Sequence, residues 1–171
     1  IDNPPVFTDG ATSSESVAEG TTTVADYDVS DANGDAISTC TLSGADMGGF
    51  TATKVDSDTC RIAFTSAPDY ENPAGAWSNN VYNVNLIATA GSGSDTIALT
   101  ITVTDVNDQT PAVTVDSAYT QAEASSTTWQ TFTIIDTDTT GTYDCTLAGT
   151  DAADFSASIS GNACTVTWAS A

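Results

Sequence analysis

Apolar and polar residues alternate along most of this chain. Ala25, Tyr27 and Val29 alternate with Asp26 and Asp28, and Cys60, Ile62 and Phe64 with Arg61 and Ala63. Tyr82, Val84, Leu86 and Ala88 are separated by polar residues or Ile87, and Ile97, Leu99, Ile101 and Val103 mostly by Thr. A period of two is that of half-buried strands, with apolar side chains on one face. No window carries a helical stripe, and the wealth of Thr and Val suits strands. Gly48-Gly49 and Gly91-Ser92-Gly93 read as turns. The pattern predicts strands near 5–8, 15–18, 23–30, 37–42, 50–55, 59–65, 80–88 and 95–105. Short strands with frequent turns predict an all-β, two-sheet sandwich.

The pattern then repeats. Asp2-Asn3-Pro4-Pro5 is a shortened copy of Asp105-Val106-Asn107-Asp108-Gln109-Thr110-Pro111, and aligning Asp2 with Asp108 gives 108 − 2 = 106 residues. Ala18-Glu19 returns as Ala122-Glu123. Cys40-Thr41-Leu42-Ser43-Gly44-Ala45-Asp46 returns as Cys145-Thr146-Leu147-Ala148-Gly149-Thr150-Asp151. Phe50, Cys60 and Phe64 return as Phe155, Cys164 and Trp168. A unit of this length is a domain rather than a solenoid turn. The repeats are residues 1–108 and 109–171.

The second repeat predicts strands near 112–115, 119–122, 128–135, 143–147, 155–159 and 163–168, without counterparts of the strands at 80–88 and 95–105. Phe132, Ile134, Leu147, Phe155, Val166 and Trp168 would then face water. Trp168 takes an inward position and Trp129, in the place of Val24, an outward one; Trp77 lies in a polar loop. The chain is expected to be a segment of a longer run of repeats whose missing strands follow Ala171. The rival is a gap filled by a strand from a neighbouring molecule.

Charge narrows the function. There are 23 acidic residues against Lys54 and Arg61, a formal net charge of −21, and no histidine. Such a surface repels nucleic acid and anionic membrane and favours cations. No run approaches the ~18 apolar residues of a membrane span. Without histidine there is no Ser-His-Asp or Cys-His catalytic arrangement, and an enzyme is not expected. The cysteines fall one pair per repeat, 60 − 40 = 20 and 164 − 145 = 19 residues apart, with no Cys-x-x-Cys. Alternation turns them inward, so Cys40–Cys60 and Cys145–Cys164 are expected as disulfides of an extracytoplasmic protein, the alternative being buried thiols.

Four acidic clusters remain: Glu19; Asp69-Tyr70-Glu71; Asp105-Val106-Asn107-Asp108; and Asp136-Thr137-Asp138. Carboxylates at alternate positions share one side of an extended segment. Hard oxygens of this kind suit calcium, which takes six to eight of them in irregular geometry. Glu15 lies outside the clusters, and its removal is expected to be near neutral. Asp31-Ala32-Asn33-Gly34-Asp35 is similar to part of a helix-flanked calcium loop, but its glycine comes too early and no glutamate closes it.

The chain resembles the cadherin repeat, in particular the cadherin-like tandem modules of large bacterial surface proteins. Ala18-Glu19, Pro68-Asp69-Tyr70-Glu71-Asn72-Pro73 and Ile101-Thr102-Val103-Thr104-Asp105-Val106-Asn107-Asp108 carry the resemblance. It implies seven-stranded Greek-key sandwiches of immunoglobulin-like type, the second one incomplete, with calcium held between successive modules. Glu19, Asp69 and Glu71 would come from the first repeat, Asp105, Asn107 and Asp108 from the linker, and Asp136 and Asp138 from the second. Upstream, Asp2, Asn3, Asp31 and Asn33 would make a poorer half-site, since Asn33 replaces an acid and Ala90 stands where an aspartate is usual. The expected function is a calcium-rigidified structural or adhesive module of a long surface protein. The alternative is a module that recognises polysaccharide or another such domain. The partners expected are neighbouring repeats, other copies or surface glycans, at the extracellular cell surface.

Overall fold

The computed structural model describes residues 2–73, 79–114, 120, 128–138 and 141–169. Two compact units divide the chain, Ile1–Val106 and Asn107–Ala171. Trp77, the Ala122-Glu123 repeat and most of the strand expected near 119–122 lie outside the described residues.

The first unit holds eight strands in two sheets. They are β1 (Val6–Phe7), β2 (Thr12–Ala18), β3 (Thr23–Ser30), β4 (Ile37–Ser43), β5 (Phe50–Lys54), β6 (Thr59–Phe64), β7 (Val81–Ala90) and β8 (Gly93–Thr104). One sheet has the order β1-β3-β6-β5, the other β2-β8-β7-β4. The sandwich is the seven-stranded one with its first strand divided: β1 pairs antiparallel with β3, while β2 crosses over to run parallel to β8. Between the sheets lie Phe7, Tyr27, Val29, Ile62, Leu86, Ile97 and Ile101, all nearly sealed from water. Each such aliphatic contributes roughly 1.5–3 kcal/mol by burial. Phe50 and Phe64 pair across β5 and β6 with ring centres 4.4 Å apart, and Tyr82 of β7 meets both edge-on at 5.7 and 5.6 Å.

The disulfide Cys40–Cys60 joins β4 to β6 and so ties the two sheets, with a Cα separation of 5.8 Å. Gly44, just after β4, has φ +105°, and a Cβ there would sit 3.3 Å from Asn83 O and Val84 Cα. Only glycine lets this turn approach β7 so closely. The buried Asp46 that follows accepts the Asn83 backbone N–H at 2.8 Å. Glu15 is not a bystander: its Oε1 accepts the buried Tyr27 hydroxyl and the Ser13 hydroxyl, both at 2.9 Å.

The second unit forms one sheet, ordered β11-β12-β10-β9. Its strands are β9 (Ala112–Val113), β10 (Thr128–Ile135), β11 (Phe155–Ser160) and β12 (Ala163–Trp168). The strand expected at 143–147 does not form. Its counterpart β4 pairs only with β7, and no described residue of this unit stands in for β7. Without a ladder partner an extended segment gains no strand hydrogen bonds. The disulfide Cys145–Cys164 nevertheless fastens it to β12, with a Cα separation of 5.9 Å.

The expected exposure of this unit's apolar face holds only in part. Leu147 and Trp168 are exposed and Phe132 and Phe155 half-buried, but Ile134 and Val166 are buried. Trp129 does not stand apart on an outer face. The pairing of β10 with β12 slips between Thr128 and Gln130, and Trp129 joins the ring cluster, 6.1 Å from Phe132 and 5.9 Å from Phe155. The same slip occurs in the first unit between Thr23 and Ala25, where Val24 packs against the core. A bulge adds one residue to a strand and so reverses the facing that simple alternation predicts.

Candidate metal centre

In the first unit the acids gather where β2 and β8 end side by side. Ala18 pairs with Thr104, and the Glu19 backbone N–H donates to Thr104 O at 3.0 Å. This turns the Glu19 side chain inward, where it is 8% exposed. Its two oxygens are held: Oε2 accepts the Tyr70 N–H at 2.7 Å and Oε1 the Val106 N–H at 2.8 Å. One carboxylate thus fixes both the Pro68–Pro73 loop and the segment leaving β8. The Asn72 N–H, donating to Asp69 Oδ1 at 2.9 Å, curls the loop around its own acid.

Glu19, Asp69 and Glu71 each bring a carboxylate oxygen within 4.8 Å of the others. Asp105, one residue past β8, lies within the same distance of Glu71. No side-chain cation is at hand. The chain's two basic residues are both engaged elsewhere, Lys54 donating to the Ile37 carbonyl and Arg61 paired with Asp26 at 2.6 Å. Like charges packed this closely, one of them buried, are costly unless cations offset them. The donors are all hard oxygens and include flexible carboxylates, which fits calcium rather than zinc or copper.

The second unit gathers its own set. Asp138, 6% exposed, accepts the Gln109 N–H through Oδ2 at 2.8 Å, and its own N–H approaches Asp136 Oδ1 at 3.4 Å. Asp108 Oδ1 accepts from the Gln109 side-chain amide at 2.6 Å. Asn107 lies against Gly141, where a Cβ would collide with its amide nitrogen. Gln109 thus ties the segment beside Asp108 to Asp138, whereas Asp108, Asp136 and Asp138 do not converge among the described residues as closely as the first unit's acids do. Asp138 Oδ1 is buried and accepts no hydrogen bond among the described residues.

The upstream end of the first unit repeats that plan. The Asn3 N–H donates to Asn33 Oδ1 at 2.8 Å, as Gln109 does to Asp138, and the Asn33 N–H donates to Asp31 Oδ1 at 2.7 Å. Asp2 accepts both the N–H and the hydroxyl of Ser92 at 2.6 Å. Asp35 also reaches Asp2. Its carboxyl is pushed above the usual range by hydrogen bonding to Asp2 and by the charges of Asp2 and Asp31, whereas Ser92 holds Asp2 below it.

No family model matches the chain, and neither does any curated protein. Solved structures do. The chain is similar to the protocadherin gammaB7 EC3-6 cis-dimer structure at TM-score 0.67 and 23% identity, over 97% of this chain and 39% of that one. The protocadherin gammaB4 extracellular domain matches at 0.63 and 27%, over 98% and 26%. Human protocadherin-24 EC1-2 matches at 0.67 and 15%, over 98% and 78%. The fold is the cadherin repeat. The chain spans less than two-fifths of the two gamma protocadherin chains.

Within this cadherin-like fold, three acids outside the four acidic clusters make contacts that alternation alone does not mark. Asp46 and Asp95 accept the Asn83 and Phe7 backbone N–H groups at 2.8 and 2.9 Å and pin strands together. Asp35 adds a carboxylate to the upstream set. Its signal was present in Gly34, whose φ of +80° turns Asp35 back toward Asp31.

Proposed function

We propose that this chain is a calcium-rigidified structural and adhesive segment of a long extracellular protein built from cadherin-like repeats. The observation that carries the reading is the buried Glu19 beside Asp69 and Glu71, with both basic residues of the chain committed elsewhere. Glu19, Asp69, Glu71 and Asp105 would be the first unit's ligands, and Asn107, Asp108, Asp136 and Asp138 the second unit's. Bound calcium would supply the positive charge that this acidic set lacks. Glu19 does the positioning, because its two backbone hydrogen bonds hold the loop and the linker start in one place. Asp138 does the same for Gln109 in the second unit. The upstream set, Asp2, Asn3, Asp31 and Asn33 with Asp35, is proposed as a weaker site because Asn33 stands where Asp138 supplies a charge.

The absence of histidine supports a structural rather than catalytic role. Partners on this reading are neighbouring repeats and other copies, in keeping with the cis-dimer form of the gammaB7 neighbour. The test is small-angle scattering of the 171-residue chain in calcium and in chelator. A narrower distance distribution in calcium supports the proposal, and identical curves refute it.

A further inference from the structure

We infer that the first unit carries a binding site for a primary ammonium group, with Asp46 and Tyr82 at its floor. The place is the end of the sandwich where β4 and β6 finish and β7 begins. The turn after Gly44 and the segment after Phe64 flank a cavity of about 590 Å³ there, within the range of small-ligand sites. Phe64, Ala67 and Pro68 line it with apolar surface, and Gly48 and Gly49 add no side chain to it. Two polar groups in this cavity are buried without being satisfied. Asp46 is 9% exposed; its Oδ2 accepts the Asn83 N–H, while Oδ1 accepts no hydrogen bond among the described residues. Tyr82 is 6% exposed, and its hydroxyl has no hydrogen-bond partner among them either. Burial and the Asp46 charge hold this phenol above its ordinary pKa, so it stays a hydroxyl that can accept or donate.

Charge selects the ligand. A buried carboxylate is costly until a cation with hydrogen-bond donors meets it, and both basic residues of the chain are engaged elsewhere. Calcium does not suit the place. It takes six to eight oxygens, and Asp46 belongs to neither group of three converging acids among the described residues. A guanidinium suits it poorly, because its two-pronged bond needs both carboxylate oxygens and the Asn83 N–H already holds one. A neutral hydroxyl would satisfy Oδ1 and leave the charge uncompensated. An alkylammonium carries three donors around a point charge. One can go to Asp46 Oδ1 and one to the Tyr82 hydroxyl oxygen, while the alkyl stem lies along Phe64 and Pro68. Lys54 is held by the Ile37 carbonyl in every copy of the chain. The ammonium therefore comes from a different molecule, as a lysine side chain or a free diamine.

The test uses the whole chain in calcium, so that amines do not collect on the acids around Glu19. The probe is acetyl-lysine methylamide, with the norleucine analogue as its uncharged isostere and diaminobutane as the free amine. Backbone amide shifts of Met47, Gly49 and Asn83 are followed by nuclear magnetic resonance. The inference expects saturable shifts at these three, with a Kd on the order of 1–10 mM for a fragment of this size, and none with the norleucine analogue. The tighter of the two amines names the source. Asp46→Asn, which keeps an acceptor for the Asn83 N–H, should weaken binding at least about tenfold. Tyr82→Phe should weaken it about threefold or more, and Asp28→Asn, outside the cavity, should leave it unchanged. Should Asp46→Asn fail to fold, the norleucine comparison and Tyr82→Phe decide alone. Equal binding of the norleucine analogue, or an unchanged affinity in folded Asp46→Asn, would overturn the inference. So would shifts that grow without saturation beside the acids in general, because the amine would then be a diffuse counter-ion.

Discussion

Replacing Glu19 by Ala separates the structural part of this side chain from its part in the proposed metal site. In chelator two effects oppose. The substitution leaves the Tyr70 and Val106 N–H groups without their acceptor, a loss of about 1.5 kcal/mol or more for each bond to a charged group. It also removes the repulsion of Asp69 and Glu71, whose oxygens lie within 4.8 Å. With one neighbour exposed and the other half-buried, each repulsion is worth about 1 kcal/mol at the dielectric of water and somewhat more inside. The net cost in chelator is therefore small, on the order of 1 kcal/mol. In calcium the repulsion is already offset, so the full cost of about 3 kcal/mol returns, together with the loss of a ligand. Urea unfolding of wild type and variant, followed by circular dichroism in both media, gives the four midpoints. Amide exchange at Tyr70 and Val106 shows whether the local bonds are the ones lost. An equal cost with and without calcium would refute the reasoning.

Removing the inter-sheet bridge with Cys40→Ala and Cys60→Ala should cost about 3 kcal/mol, from a loop of 20 residues in the chain-entropy model, read as a shift in urea midpoint at unchanged slope. Gly44→Ala should cost more than Gly149→Ala, because both carry the left-handed backbone, about 1 kcal/mol or more, while Gly44 alone meets a neighbouring strand; thermal melts of the two variants decide it. Burial, aided by the Glu15 charge, holds the Tyr27 phenol well above its ordinary pKa, and burial beside Asp46 raises Tyr82. A raised folded pKa means this stability is complete below about pH 10 and is lost as pH rises beyond it. Absorbance at 295 nm should show these two phenols ionising only as the unit unfolds. Glu15→Ala should destabilise by about 1–3 kcal/mol by leaving the Tyr27 hydroxyl without its acceptor, and an unchanged urea midpoint would count against that contact.

The first repeat was legible because its strands bury one face each, so alternation marked them from β3 to β8 within a few residues. The split of the first strand between two sheets was not, since β1 and β2 differ only in which neighbour they find. The bulges at Val24 and Trp129 were hidden for a related reason: an inserted residue breaks the phase without changing composition. The failure at 143–147 lies on another link. Its pattern is that of a strand, but a strand needs a partner, and that partner is not a property of the segment. Among the candidate site residues, Glu19 could be matched to its motif, yet its two backbone partners come from 51 and 87 residues away. Asp46 and Asp95 looked like scattered surface acids, because nothing local tells that an N–H from another strand will face them.

The central claim is that the acids around Glu19 and the linker hold calcium, and a calorimetric titration of the metal-free chain tests it most directly. The account predicts saturable calcium binding at ~10⁻⁴–10⁻³ M, the range of extracellular modules. It also predicts a rise in melting temperature equivalent to about 1.4 kcal/mol per independent site at ten times the dissociation constant, both lost when Asp69 and Glu71 are replaced by Asn and Gln. No saturable heat at millimolar calcium, with the same melting temperature in calcium and in chelator, would contradict it.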